Sequence, residues 1–184
     1  VSLANCNKES TILDVGCGSG TLLPFIDNQM AYYHGIDGNR DAIIFCEQQY
    51  VGNNISFQQM QFDNLSLLPT NHYSTIFFLE SIEHITRMQG LHVLQQFHHL
   101  LKDDGLCIIS TPNKRSMWPM IEKILDACHL TPRLAGDQHE ILYSINNLKS
   151  IAAEANFEIE KVSTMNGLAP WFSFLGSATT YVLH

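Results

Sequence analysis

Three stretches of the 184-residue chain carry side chains of the kinds that bind or transform small molecules. The first is Leu13-Asp14-Val15-Gly16-Cys17-Gly18-Ser19-Gly20, a glycine-rich run directly behind an apolar one. Glycine has no Cβ and tolerates positive φ, so such a loop lets the backbone approach a ligand closely. The second is Gly35-Ile36-Asp37-Gly38. Its carboxylate, about 20 residues beyond the glycines, can accept two hydrogen bonds from the cis-diol of a ribose. The third is Glu80-x-x-Glu83-His84, with His139 downstream in Gly136-Asp137-Gln138-His139-Glu140. Either histidine could serve as a general base. Alternatively, two carboxylates and two imidazoles suit a divalent cation with positions open to substrate oxygens. That arrangement needs Glu80 and Glu83 on one face of a helical turn. The plainer reading is a glutamate that caps a helix, a histidine packed beside it and a surface His139.

The spacing of the glycines narrows the ligand. A dinucleotide fingerprint has the pattern GxGxxG, whereas here the third glycine comes one residue early and Thr21 takes the last position. No GK[ST] follows, so the loop is not a P-loop.

Elements that would position these residues can be read from periodicity. Thr11–Val15, Tyr32–Ile36, Ile55–Gln58, Ser74–Leu79 and Leu106–Ser110 are predicted strands. Helices are predicted over 21–30, 40–50 and 88–101, the last with Leu91, Leu94, Phe97 and Leu101 at helical spacing. Lys102-Asp103-Asp104-Gly105 is read as the turn that ends it. Met117 to His129 is a candidate helix, Asn146 to Ala155 a helix capped by Ser144, Phe157 to Ser163 a sixth strand, and Thr179 to Leu183 a last one. Strands alternating with helices imply an α/β fold with a mostly parallel, doubly wound sheet. One domain is expected over 1–184, with 112–140 as an insertion and 167–178 as an apolar tail.

Composition excludes several classes. Hydrophobic residues make up 45% and charged ones 15%, too apolar for a disordered chain. Eighteen acidic and ten basic residues leave a net charge of −8, which argues against binding a phosphate backbone. No apolar run reaches transmembrane length and no secretory signal opens the chain. Five cysteines without CxxC spacing point to reduced thiols and a cytoplasmic location.

Together the motifs resemble the class I S-adenosylmethionine-dependent methyltransferases. Ile12 to Gly20 is similar to the family's first motif, Glu80-Ser81-Ile82-Glu83-His84-Ile85 to the segment after its fourth strand, and 100–113 to the stretch commonly written LLKPGG…STPN. Asp103-Asp104 departs from that stretch in a solvent turn. The resemblance covers roughly residues 11–163. It implies a three-layer Rossmann-like sheet of seven strands, one reversed near the C-terminus, with S-adenosylmethionine across the strand ends. The backbone of Gly16, Cys17, Gly18 and Gly20 would face the methionine part, and Asp14 would hold the loop or the amino group. Asp37, followed by Gly38, would bind the ribose. Asp63 and Asn64 would read adenine, and Leu79 and Glu80 would lie near the sulfur.

The E-x-x-E-H pattern with a downstream histidine is similar to two groups within that family. In one, the ubiquinone-biosynthesis O-methyltransferases act on polyprenylated catechols. In the other, small-RNA 2′-O-methyltransferases hold a metal at these positions, which here are Glu80, Glu83, His84 and His139. Lys114, Arg115 and Arg133 are the basic residues near the expected acceptor side, too few for RNA. Met117, Trp118, Met120, Ile121, Ile124 and Leu125, together with Trp171, Phe172 and Phe174, suit an apolar lid, a membrane-facing patch, or a plain packing and dimer surface. The expected reaction is therefore methyl transfer to a hydroxyl of a small or lipid-like organic molecule. The competing readings are the RNA enzyme, a nicotinamide-dependent oxidoreductase and a non-catalytic methyltransferase-like module. Only ten residues precede Thr11, so a lid over the acceptor is expected from the insertion and tail, or from a longer native N-terminus.

Overall fold

The structure is a computed structural model that describes residues 6–26, 30–112, 143–164 and 178–183. Strands β1 (Thr11–Val15), β2 (Tyr32–Asp37), β3 (Ile55–Gln59), β4 (Tyr73–Leu79), β5 (Leu101–Pro112), β6 (Ile159–Thr164) and β7 (Ala178–Leu183) form one sheet in the order β3-β2-β1-β4-β5-β7-β6. The first five run parallel, and β7 is antiparallel to both β5 and β6. This is an α/β, Rossmann-like architecture with a mostly parallel sheet, as the alternation of strands and helices implied.

The inner strands are apolar on both faces because both are covered. In β4, Ile76 and Phe78 enter one core and Phe77 the other. The first core is closed by α2 (Arg87–Leu100) and α3 (Ile145–Glu154), with Phe97, Leu94, Ile151 and Phe157 among its members. On the opposite face, Leu22, Leu23, Ile26 and Met30 cover Ile12, Tyr33, Phe77 and Ile108. Helix α1 (Arg40–Gln49) buries Ile43 and Cys46.

Caps set where the helices begin. The Asn39 side chain accepts from the N–H of Asp41 at 2.9 Å, and the Ser144 hydroxyl accepts from that of Asn147 at 3.2 Å. Thr86 and Gln89 form a capping box at the start of α2.

Two expectations change. The helix predicted over 21–30 is a single 3₁₀ turn, Leu23–Phe25, among the residues described there. Pro24 has no N–H to give the Gly20 carbonyl, and its ring would clash with that carbonyl in an α-helix begun at Thr21. The predicted turn at 102–105 instead lies within β5, where the pairing with β4 shifts between Tyr73 and Thr75. The stretch is an irregularity in the sheet opposite Tyr73, and regular pairing resumes at Leu106.

Cys6, Cys17, Cys46 and Cys107 are free thiols. Among the described residues no helix is long and apolar enough to cross a membrane. The candidate helix 117–129, the 112–140 insertion beyond its first residue, and nearly all of the 167–178 tail lie outside the described residues.

Candidate active site

Strand order creates the site. β1 pairs with β2 on one side and β4 on the other, so the chain changes direction across the sheet at the C-terminal end of β1. Ligands of open α/β sheets bind in the crevice at such a point. Gly16 and Cys17 begin the loop there, and both of their N–H groups donate to the Ile36 carbonyl, at 2.8 and 3.0 Å.

Each glycine of the loop has a distinct reason. Gly16, Gly18 and Gly20 all have positive φ, at 74°, 51° and 73°. A Cβ at Gly16 would lie 2.4 Å from the Ser81 hydroxyl, and one at Gly20 would lie 2.7 Å from the Tyr50 ring. Around Gly18, by contrast, nothing beyond its own chain neighbours lies within 4 Å of where a Cβ would be. That open position faces a carboxylate: the Gly18 N–H donates to Asp37 Oδ2 at 2.8 Å. The Asn39 N–H donates to Asp37 Oδ1 at 2.7 Å. Asp37 is thus held by both loops while staying only half-buried, and each oxygen keeps a lone pair for a ligand hydroxyl.

Cys17 and Asp14 sit below this surface. Cys17 is buried, and burial pushes its thiol up, as it does that of Cys46. The Cys46 thiol donates to the Gly18 carbonyl at 3.3 Å, which ties α1 to the loop. Asp14 is 3% exposed and accepts from the Tyr33 hydroxyl at 2.6 Å. Burial pushes its carboxyl up to about 7; the Tyr33 bond opposes this and the Asp37 charge adds to it. Its hydrogen bond joins β1 to β2 just ahead of the loop.

The turn after β4 forms the other wall. Leu79 is half-buried and Glu80 is exposed. Glu80 has φ 47°, a left-handed conformation that costs a non-glycine residue about 1–2 kcal/mol. Ser110, near the end of β5, holds it there. Its carbonyl and its hydroxyl accept from the Glu80 N–H at 3.0 and 3.2 Å, and its hydroxyl donates to Glu80 Oε1 at 2.6 Å. A 3₁₀ turn, Ile82–His84, follows. Within it Glu83 is 1% exposed and accepts from the Thr111 hydroxyl at 3.1 Å. Burial pushes the Glu83 carboxyl up to about 7, the Glu80 charge adds to this, and the Thr111 bond opposes it. His84 is exposed.

Asp63 and Asn64 lie in the 3₁₀ turn Phe62–Leu67, and both are exposed. The Asn64 N–H already donates to the Gln61 carbonyl at 3.0 Å. Gln61 also crowds Gly38, where a Cβ would fall 2.8 Å from its amide oxygen. The Met60 N–H donates to the Asp37 carbonyl at 2.9 Å, so this turn is anchored beside the acid. His139 lies outside the described residues.

Comparison with known proteins settles the family. Residues 2–162 match the family described as a methyltransferase domain. The chain belongs to the class I S-adenosylmethionine-dependent methyltransferases. It is similar to the ubiquinone biosynthesis O-methyltransferase of Glaesserella parasuis, at 32% identity over 109 residues, 56% of this chain and 45% of that protein. It is also similar to the enzyme of that name from Haemophilus ducreyi, at 29% identity over 135 residues, 70% of this chain and 56% of that one. The chain therefore spans about half the length of these curated relatives. In three dimensions it resembles the S-adenosylmethionine-dependent methyltransferase of Mesorhizobium loti, with a TM-score of 0.75 at 15% identity, covering 98% of this chain and 92% of that one. That likeness shows the shared fold.

The methyltransferase family implies S-adenosylmethionine, and the crevice fits it. Open space at Gly18, a half-buried Asp37 and positive φ at all three glycines, with Gly16 and Gly20 also closed to a Cβ by contact, make a cradle for a nucleoside with a charged tail. Of the four candidate metal ligands, Glu80, Glu83 and His84 are described and His139 is not. Among the described residues no three His, Cys, Asp or Glu side chains are grouped to hold an ion. Glu80 is bonded to Ser110, and Glu83 is buried against Thr111. Cavities of about 340 and 320 Å³ lie elsewhere, beside Asp104 and Leu106 and beside His98 and Phe157, where β5 begins.

Sequence reading missed Tyr33, Cys46, Ser81, Ser110 and Thr111 as supports of the site. Ser110 and Thr111 lie in the Ser-Thr-Pro-Asn motif, which was the available signal. Tyr33 and Cys46 lie in no motif.

Proposed function

We propose that the chain transfers a methyl group from S-adenosylmethionine to a hydroxyl oxygen of a small or lipid-like organic molecule. The observation that carries this reading is the pairing of Gly18 with Asp37 at the switch point, open to solvent on the ligand side. The names of the similar curated proteins, both O-methyltransferases, support oxygen as the acceptor.

The cofactor supplies a methyl group already activated on a sulfonium, so the protein's task is alignment. Asp37 accepts from the ribose hydroxyls and thereby fixes the nucleoside. The glycine loop lets the methionine portion lie against the backbone. Asp63 and Asn64 border the adenine, and Leu79 and Glu80 border the sulfur. His84 or His139 takes the proton from the acceptor hydroxyl as the oxygen attacks. Substrate choice resides in 112–140 and 167–178.

The test is binding. Saturating S-adenosylhomocysteine should raise the melting temperature, by about 2.7 kcal/mol of stabilisation at a hundredfold excess over Kd, whereas NAD should not. Asp37→Ala should abolish the shift while circular dichroism stays that of the folded protein. A shift with NAD alone would transfer the protein to the nicotinamide-dependent class.

A further inference from the structure

Glu80 is held in a way an exposed glutamate ordinarily is not. Its backbone is left-handed, its N–H bonds to two oxygens of Ser110, and one carboxylate oxygen accepts from the same Ser110 hydroxyl. The carboxylate therefore has a fixed direction instead of the rotamer freedom of a surface chain. Its neighbour Ser81 donates to the Leu79 carbonyl at 2.9 Å and abuts Gly16, so the turn carrying Glu80 is seated directly on the glycine loop. Backbone strain maintained by surrounding contacts, at the rim of a ligand crevice, points to a role in that crevice.

We propose that Glu80, aimed by Ser110, distinguishes the charged methyl donor from the neutral product. This rests on the methyltransferase reading given above. The donor carries a sulfonium cation and the demethylated product a neutral thioether; the rest of the two molecules is the same. On that reading Glu80 borders the sulfur, and a fixed carboxylate there attracts the first and has no charge to attract in the second. The consequence is preferential loading of the donor and easier release of the product after transfer. Ser110 is a positioning residue that acts through Glu80.

The experiment is isothermal titration of the full chain with S-adenosylmethionine and S-adenosylhomocysteine, in EDTA so that no divalent cation mediates the effect. The wild type should bind the donor at least about tenfold more tightly than the product. Glu80→Gln keeps the size and removes the charge. Glu80→Gly removes the side chain at a position where glycine relieves the backbone, so it folds at least as well as the wild type. Both should bring the preference to within about threefold, with product affinity changed by less than about threefold. Ser110→Ala should lower the preference and Ser110→Thr, which restores a hydroxyl, should recover it. Sinefungin, with an amine where the donor carries its methyl, should follow the donor. A preference that survives Glu80→Gln and Glu80→Gly overturns the proposal. A wild type that binds both molecules equally also overturns it and leaves the methyltransferase reading standing. A wild type that binds neither ends both.

Discussion

The two walls of the crevice are built on different principles. On the glycine-loop side, the ligand-facing groups are positioned by their own neighbours in sequence and by one partner strand. Gly16 and Cys17 donate to Ile36, and Asp37 bonds to Asn39, two residues on. On the post-β4 side, Glu80 and Glu83 are positioned by hydroxyls about thirty residues away, Ser110 and Thr111 (sequence separations 30 and 28). The first wall forms when β1 and β2, joined by one connection, pair side by side. The second exists only once β4 and β5 are side by side.

The contrast can be broken most severely where the walls meet. Gly16→Ala puts a Cβ against Ser81 at a positive φ, so both walls must shift. S-adenosylhomocysteine affinity should fall by at least about a hundredfold, equivalent to roughly 2.7 kcal/mol, as read by calorimetry. Retained affinity would mean the two walls are mechanically independent.

Asp14→Asn probes the foundation of the first wall. A carboxyl whose folded pKa is raised, here to about 7, destabilises the fold increasingly as pH rises from its unfolded value through that point. The stability it contributes is therefore complete in acid and lost toward pH 7. The amide that replaces it does not titrate and can still accept from Tyr33. The variant should gain on the wild type between about pH 4 and pH 8, by up to about 3–4 kcal/mol in urea unfolding. A difference independent of pH would show that Asp14 is not buried as described.

Thr111→Val tests the second wall with a smaller change. It keeps the shape and removes the donor to Glu83, leaving a buried carboxyl short of a partner. A loss of about 1–3 kcal/mol is expected, from denaturant unfolding, with S-adenosylhomocysteine affinity little altered. A large loss of cofactor affinity instead would join the walls into one unit. The smallest effect is expected outside the crevice. Arg87 and Glu154 pair between α2 and α3 with both side chains largely exposed, so Arg87→Ala should leave the melting temperature essentially unchanged.

Much of this was legible from residues alone, for physical reasons that can be named. Thr11–Val15 and Tyr73–Leu79 are short apolar runs that only a strand buried on both faces explains. Ser144 ahead of an apolar-periodic stretch marked the start of α3, because a hydroxyl there satisfies an otherwise unpaired N–H. The 21–30 helix failed because apolar spacing was allowed to outweigh Pro24. The 102–105 turn was misplaced because a charged, glycine-containing stretch reads alike as a turn and as an irregularity at a strand. Within the site, periodicity could suggest that Glu80 and Glu83 share a face. It could not show that one turns outward to Ser110 and the other inward to Thr111.

Local chemistry, then, was determined by the sequence: the glycine spacing and the acid after β2. These depend on contacts short in sequence or on a backbone that only glycine permits. The tertiary structure decided the rest. Packing β2 against β1 makes Asp14 a buried partner of Tyr33, and packing β5 against β4 gives Glu80 its direction. A carboxylate's role depends on the water, charge and donors around it, and those are supplied by residues that come near it only when the sheet has formed.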